Sequence, residues 1–349
     1  MKKQNLINLV KYHVDRNEDA FVSEVAEIAR EFDRAQDYNV AEYLMELIAN
    51  ANAYVPQSSY DGFRFLTKLD YSTKPLLLPT VIEEDVLGIA RAIKKGSDIT
   101  KFFFYGAPGT GKTEAALQVA RLTERDILSV NIENLIDSRL GETAKNIVAL
   151  FDEINHLPYN QVMVILDEID SLILNRIANN DHREMGRATS AFIRALDSIN
   201  DKVVMIATTN LIDEFDKAIL RRFDATVSFD RYSKEDLIEV ADAFLTSTIK
   251  KYPQSKQNKK LFNKILSNLD SVPYPGDLKQ IIKTAVAFSD GTNEYDYLRK
   301  IYYALNGNPK TIDLKELKDA GYTTREIEIL SRVPRSSVAR KLSKVGSDE

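Results

Sequence analysis

The sequence predicts an α/β fold: a parallel sheet covered by helices, followed by an all-helical domain, with small helical units at both ends. Three observations carry this. An apolar run, Phe102-Phe103-Phe104-Tyr105, enters a glycine-rich loop. Strand-like apolar runs then alternate with helical periodicity as far as Phe229, the pattern of βα units. From Ser233 onward the strand signals stop and helical spacing continues alone.

The elements follow in order. Residues 1–55 repeat apolar side chains at helical spacing (Leu6, Leu9, Val10; Phe21, Val25, Ile28, Phe32; Val40, Leu44, Leu47), which predicts a bundle of three short helices. Such a bundle serves either as a cap on the core or as a docking module for a partner. Residues 56–79, rich in Tyr and Phe and punctuated by Pro56, Gly62, Pro75 and Pro79, read as a linker. Residues 80–232 form the predicted α/β unit. It opens with a helix at Thr80, and strands are expected at Ile99–Tyr105, Ile127–Val130, Val162–Leu166, Val203–Ala207 and Ala225–Phe229. Helices are expected over most of Asn134–Ile154, over Glu184–Ile199 and over Asp213–Arg222. Residues 233–308 hold four helices, and residues 309–349 form a last helical unit of different composition.

Composition narrows the function classes. The 349 residues carry a net charge of -5, so no whole-chain attraction to nucleic acid or to an anionic membrane is expected. No run approaches the ~20 apolar residues that span a bilayer, and MKKQNLINLVKYHVD reads as mature protein rather than a leader. There is no cysteine, and His13, His156 and His182 are too scattered for a zinc motif. The lack of cysteine fits a reducing cytoplasm.

Gly106-Ala107-Pro108-Gly109-Thr110-Gly111-Lys112-Thr113 fits the phosphate-loop pattern G-x-x-x-x-G-K-[ST] between a strand and a helix. The glycines let the backbone turn its N–H groups inward around an anion, and the helix adds its positive end. Lys112 can reach the β- and γ-phosphates of a nucleotide, and the Thr113 hydroxyl can ligate Mg²⁺. Glu114 opens the following helix. The run VMVIL then delivers Asp167 and Glu168 at a strand C-terminus, where ligands of open α/β sheets sit. Asp167 is expected to hold Mg²⁺, largely through its water shell, and Glu168 to activate the attacking water. Thr208-Thr209-Asn210 ends another strand, and Asn210 is the expected water-positioning group. Arg221 and Arg222 end a short helix. Their permanent charge and planar fork suit a neighbouring subunit's γ-phosphate, and the sequence leaves open which of them is the main finger.

GAPGTGKT, ILDEID, IATTN and AILRRFD, in this order, resemble the ATPase module of the AAA+ superfamily, and more narrowly the protein-remodelling AAA clade. The resemblance covers about residues 80–305. It implies a five-stranded parallel sheet, a helical lid, Mg²⁺-dependent ATP hydrolysis, and a homo-oligomeric ring, usually hexameric, with ATP between subunits. It also implies that Gly276 and Asp277, at the start of a lid helix, lie near the adenine. Arg139-Leu140-Gly141 aligns with that clade's pore loop, with Arg139 where an aromatic residue grips translocating polypeptide. Arg139 can do some of this with its stem and planar head, and it also favours an acidic polypeptide or a phosphate backbone. A looser resemblance at the two ends, through Phe21 and VPRSSVARKL, is to stand-alone bacterial AAA ATPases often encoded beside a subtilisin-like serine protease. It implies such a protease as the protein partner.

The C-terminal stretch is similar to a helix-turn-helix, with Thr323 or Thr324 capping one helix and Pro334 opening the next. Residues 321–345 carry six Lys/Arg against two Asp/Glu. Arg335, Ser336, Ser337, Arg340 and Lys341 are the candidate DNA contacts. Contact with a protein, or plain packing on the lid, are the alternatives, and a nucleotide-gated scaffold is a further one for the whole chain.

Overall fold

The structure, a computed structural model, describes residues 3–14, 18–34, 40–41, 44, 63–70, 78–136, 141–170, 182–307 and 312–345. The chain divides into two compact units, Met1–Gly62 and Phe63–Glu349. In the first, helices α1 (Lys3–Val14) and α2 (Glu18–Arg34) pack together, with Val25, Ile28 and Ala29 buried. Asn8 donates to Glu24 across this pair at 3.2 Å. The periodicity overstated one face, because Val10 is 58% exposed. Most of the expected third helix lies outside the described residues.

The second unit is built on a six-stranded sheet: β1 (Leu66–Leu69), β2 (Lys101–Tyr105), β3 (Asp126–Val130), β4 (Val162–Leu166), β5 (Val204–Thr209) and β6 (Ala225–Ser228). Their order is β1-β3-β4-β5-β2-β6. The expected five parallel strands are present, with β2 between β5 and β6. The sixth, β1, comes from the stretch read as a linker and pairs antiparallel with β3. Its aromatic richness has a packing cause. Phe65 is 1% exposed and donates its N–H to Glu153, while Lys68 faces solvent and pairs with Asp126 at 3.0 Å. A lysine on a short strand suits a sheet edge.

The strands alternate faces. Phe102 and Phe104 meet helices α3 (Thr80–Lys94) and α4 (Lys112–Thr123), through Ile82, Val86, Ala115 and Val119. Phe103 points the other way, edge-on to Phe215 and Phe223 at 5.4 and 4.9 Å. Period-2 alternation requires this split. The helix expected over most of Asn134–Ile154 is present as α5 (Glu142–Asn155), and a short 3-10 turn, Ile132–Asn134, stands before it. The Asn131 side chain caps the 3-10 turn and Gly141, at φ 81°, starts the helix. Helix α6 (His182–Ser198) follows β4, and a single turn, α7 (Lys217–Leu220), precedes β6.

The four expected lid helices are α8 (Lys234–Ile249), α9 (Lys259–Ser267), α10 (Pro275–Ala287) and α11 (Asp296–Leu305). The C-terminal helices are α12 (Leu314–Asp319), α13 (Thr324–Ser331) and α14 (Arg335–Val345). These two groups share one core: Leu317, Tyr322, Ile327, Leu330 and Val338 pack with Phe262, Ile265, Tyr297 and Ile301. A buried carboxylate fastens the join. Asp296, 1% exposed, accepts from the Asp290 N–H at 2.9 Å and from Arg299 and Arg332 at 3.0 Å each. Arg332 is itself in the left-handed region, at φ 58°, a conformation that costs an L-residue about 1 kcal/mol. No helix among the described residues is long and apolar enough to cross a membrane.

Burial opposes ionisation of Asp296, but the Asp290 N–H and the two guanidinium groups outweigh it and hold the carboxyl below the usual carboxylate range. A depressed native pKa stabilises the fold above the unfolded value of about 4, and that contribution is lost as pH falls through the native value. Asp296→Asn is expected to lower unfolding stability by about 2 kcal/mol at pH 7 and to flatten the acid limb of the stability profile. Urea titrations between pH 7 and pH 3 measure both. An unchanged acid limb would remove Asp296 from this role.

Candidate functional site

The site begins where β2 ends. Gly106, Gly109 and Gly111 have φ of 144°, 77° and 96°, backbone angles that side chains oppose. Between them the loop turns back and starts α4 at Lys112. Thr110 is fully buried and its hydroxyl donates to the Ala107 carbonyl at 2.8 Å, closing the turn from inside. Lys112 is 6% exposed, and its ammonium rests on the carbonyls of Gly106 and Ala107 at 2.8 and 2.9 Å. Burial pushes its pKa below the ordinary lysine value, and the carboxylates of Asp230 and Asp167 oppose this only in part.

Two residues that the sequence reading passed over hold this loop from behind. Asp230, just after β6, accepts from the Ala107 N–H at 2.7 Å. The Tyr232 hydroxyl donates to the Thr110 carbonyl at 2.7 Å, and burial raises its pKa so that it remains a donor. Both lie in the short segment that leads into the lid. The lid also touches the loop directly: the Gly276 N–H, at the start of α10, donates to the Gly109 carbonyl at 2.8 Å. A Cβ at Gly276 would sit 2.8 Å from Gly109 Cα.

Strand β4 delivers the acids as expected. Asp167 accepts from the Thr113 hydroxyl at 2.9 Å and from the Thr208 hydroxyl at 2.5 Å. Thr208 in turn accepts the Glu168 N–H at 2.9 Å. Glu168 is in the left-handed region, at φ 50°, so the backbone turns sharply between the two carboxylates. This leaves Asp167 half-buried against Thr113 and Glu168 exposed at the cleft. Thr208 is therefore the side chain that ties β5 to both acids, while Asn210, favoured from sequence, lines the cleft two residues on. No local signal marks Thr208; the register of β4 against β5, with Leu166 opposite Ala207, sets it beside Asp167.

The cleft has a volume of about 480 Å³. Pro108, Gly109, Gly111, Lys112, Thr113 and Glu114 form its floor, and Phe244 and Lys279 of the lid face them. Gly276 lines this cleft, whereas Asp277 lines a separate groove on the lid. Convergent backbone, a buried ammonium and paired hydroxyl and carboxylate oxygens fit a polyphosphate with a hard cation. Thr113 and Asp167 are oxygen donors of the kind Mg²⁺ takes.

Arg221 and Arg222 stand elsewhere. β6 runs parallel to β2, with Phe102 opposite Ala225 and Tyr105 opposite Ser228. Residues before Ala225 therefore lie at the start of β2, about 13 Å of strand from the loop at its end. Asp224 fixes this end by accepting the N–H groups of Thr100 and Lys101, each at 2.8 Å. Arg222 is held in a fork to Asp197 at 3.1 and 3.3 Å. Arg221 is exposed and makes no side-chain hydrogen bond or ion pair with the described residues. Of the pore-loop residues, Arg139 and Leu140 lie outside the described residues, and Gly141 begins α5. Along α14, Arg335, Ser336, Arg340 and Lys341 are exposed and Ser337 is half-buried.

The close approach at Gly276 makes a test. Gly276→Ala is expected to cost about 1–3 kcal/mol of stability, because the contact is backbone on backbone. Gly88→Ala, in the interior of α3 with nothing within 4 Å of the added Cβ, should instead gain about 0.5–1 kcal/mol. Chemical denaturation of the two variants reads the difference, and equal stabilities would refute the contact.

Comparison with known proteins agrees with this geometry. Residues 102–231 match the family model described as ATPase family associated with various cellular activities (AAA). The chain is 31% identical over 170 residues to the AAA family ATPase y4kL of Sinorhizobium fredii (strain NBRC 101917 / NGR234), covering 46% of this chain and 51% of that protein. It is 27% identical over 284 residues to the protein ORF529 of Acidianus two-tailed virus, covering 77% of this chain and 52% of that one. Spastin of Drosophila mojavensis is 32% identical over 157 residues, 44% of this chain and 19% of spastin. The chain thus spans about half the length of the first two relatives and far less of the third. Among solved structures, a chain of the E. coli MS115-1 HORMA:CdnC:Trip13 complex superposes with a TM-score of 0.55 at 19% identity, over 72% of this chain and 96% of that one. The FIGL-1 AAA domain in complex with ADP does so with 0.52 at 17% identity, over 80% and 100%. These two likenesses concern the fold. The loop, the strand order and the matched segment agree: residues 102–231 are an AAA domain, and the chain carries the nucleotide-binding core of the AAA+ superfamily.

Proposed function

We propose that this chain hydrolyses ATP with Mg²⁺ as one subunit of a ring, and that hydrolysis drives a change of shape that acts on a protein partner. The observation that carries the shared site is the position of Arg221. It is exposed, its side chain makes no hydrogen bond or ion pair with the described residues, and it stands at the end of the sheet away from its own phosphate loop. A guanidinium placed there meets a triphosphate only if a second copy brings one.

The residues divide the work. The loop from Gly106 to Thr113 forms the phosphate cradle, with the N–H groups from Gly109 onward turned to the phosphates while that of Ala107 stays on Asp230, and Lys112 exchanges its two carbonyl partners for phosphate oxygens. Thr113 and Asp167 would hold Mg²⁺, which would draw charge from the phosphate oxygens. Glu168 takes a proton from the attacking water and Asn210 orients that water. Thr208 keeps the Asp167 carboxylate and the Glu168 backbone in fixed relation. Arg221 is the main finger, and Arg222, bound to Asp197, steadies the turn that presents it. A hexamer is the ring size that the family resemblance supports. The likeness to a chain of an assembled HORMA:CdnC:Trip13 complex supports a protein as the partner. A subtilisin-like protease is the candidate from the resemblance at the two ends.

Glu168→Gln is expected to retain nucleotide binding and lose at least 100-fold in turnover. Arg221→Ala should fall on the order of 10³-fold, and Arg222→Ala clearly less. Steady-state phosphate release, with binding of a fluorescent ATP analogue measured in parallel, tests all three. Wild-type turnover by Glu168→Gln would remove the catalytic assignment, and a larger loss in Arg222→Ala would reverse the order of the arginines.

A further inference from the structure

We propose that α14 is a docking face for duplex DNA, presented by the lid and independent of the phosphate site. The placement of the helix comes first. Val338, fully buried, and Leu342, partly buried, lie at i and i+4 and anchor one side of α14 in the core shared with the lid. Ser336, Arg340 and Ser343, at i, i+4 and i+7, are exposed and run along the opposite side. Arg335, Ala339 and Lys341 are exposed beside them.

The charges are sorted by the fold. Arg332 is spent on Asp296 and Asp290, at 3.0 and 3.7 Å. The two carboxylates of the unit's α13 are also engaged. Glu326 takes Lys264 at 2.9 Å and the Thr323 N–H at 2.7 Å, and Glu328 takes the Arg335 N–H at 2.9 Å. The first turn of α14 is thus already capped by a carboxylate, so the side chains and not the helix end would bind an anion. The sequence of α14, RSSVARKLSKV, holds four basic residues and no acid. Arg335, Arg340 and Lys341 make no ion pair with the described residues. The chain as a whole has a net charge of -5, so the basic side chains of α14 form a local patch of opposite sign.

The shape selects the ligand. An eleven-residue helix is about 16 Å long, and the B-DNA major groove, about 12 Å wide, admits one helix. Ser336, Ala339 and Ser343 are short, so the axis can approach base edges while Arg335, Arg340 and Lys341 reach the phosphates on either wall. The preceding helix, α13, is joined through only Arg332, Val333 and Pro334 and exposes Arg325 in its first turn. That is where the first helix of a helix-turn-helix meets the backbone. An acidic polypeptide would use the charge but has no use for the bare stripe between the charges.

Fluorescence anisotropy of the full chain with a fluorescein-labelled 30-base-pair duplex tests this. Arg340→Glu/Lys341→Glu leaves Val338 and Leu342 in place. The wild type is expected to bind with a micromolar dissociation constant at low salt. The double variant should bind at least 10-fold more weakly, with a log–log salt slope shallower by about 2 and unchanged ATP turnover. Three results would overturn the proposal: no binding by the wild type at 50 mM salt, equal affinity and slope in the variant, or polyglutamate binding as tightly as the duplex and equally sensitive to the variant. The last would assign the face to an acidic protein.

Discussion

A short loop has to keep its backbone N–H groups turned inward, and the rest of the second unit is arranged to hold it there. Residues Gly106 to Thr113 reach that shape only through left-handed glycines at Gly109 and Gly111, with Gly106 also at positive φ. Glycine permits such a conformation without enforcing it. Enforcement comes from Asp230 on the Ala107 N–H, Tyr232 on the Thr110 carbonyl and Gly276 on the Gly109 carbonyl. All three belong to the hinge segment or the lid. The loop and the lid are therefore mechanically joined by hydrogen bonds of 2.7–2.8 Å. A change in what the loop holds has a direct path to a change in where the lid sits.

The same sheet separates two chemistries. Parallel strands gather the phosphate loop, Asp167, Glu168 and Asn210 at their C-terminal ends. Asp224, bonded to Thr100 and Lys101, fixes the paired arginines at the opposite end. The lid carries a third surface, because the C-terminal helices share its core and are pinned through Asp296 and Arg332. Whatever α14 binds is carried by the element that the phosphate loop restrains.

What could be read from the sequence was what is local. The phosphate loop, the apolar β4 ending in two acids, and the lid helices each rest on neighbouring residues, and their positions agree with the structure. Contacts over long separations were not legible. Asp230 meets Ala107 across 123 residues and Tyr232 meets Thr110 across 122, with no spacing rule to announce either. Thr208 was passed over for Asn210 because a threonine in a strand reads as strand propensity; only the register of β4 and β5 shows that it touches Asp167 and Glu168. The linker became partly a strand because Phe65 and Leu66 found a pairing partner in β3, more than 60 residues away. That Arg222 is held while Arg221 stays exposed depends on Asp197, which lies on a different helix.

The central claim is that each catalytic site is shared between two subunits. Mixing Glu168→Gln and Arg221→Ala chains tests it most directly, because each lacks a different half. If the site is shared, ATP turnover is near zero for either variant alone and recovers in the mixture, where an intact Glu168 meets an intact Arg221, with a maximum near equal proportions. If turnover stays near zero at every ratio although the two variants co-assemble, the arginine does not act on a neighbour's nucleotide and the account is wrong.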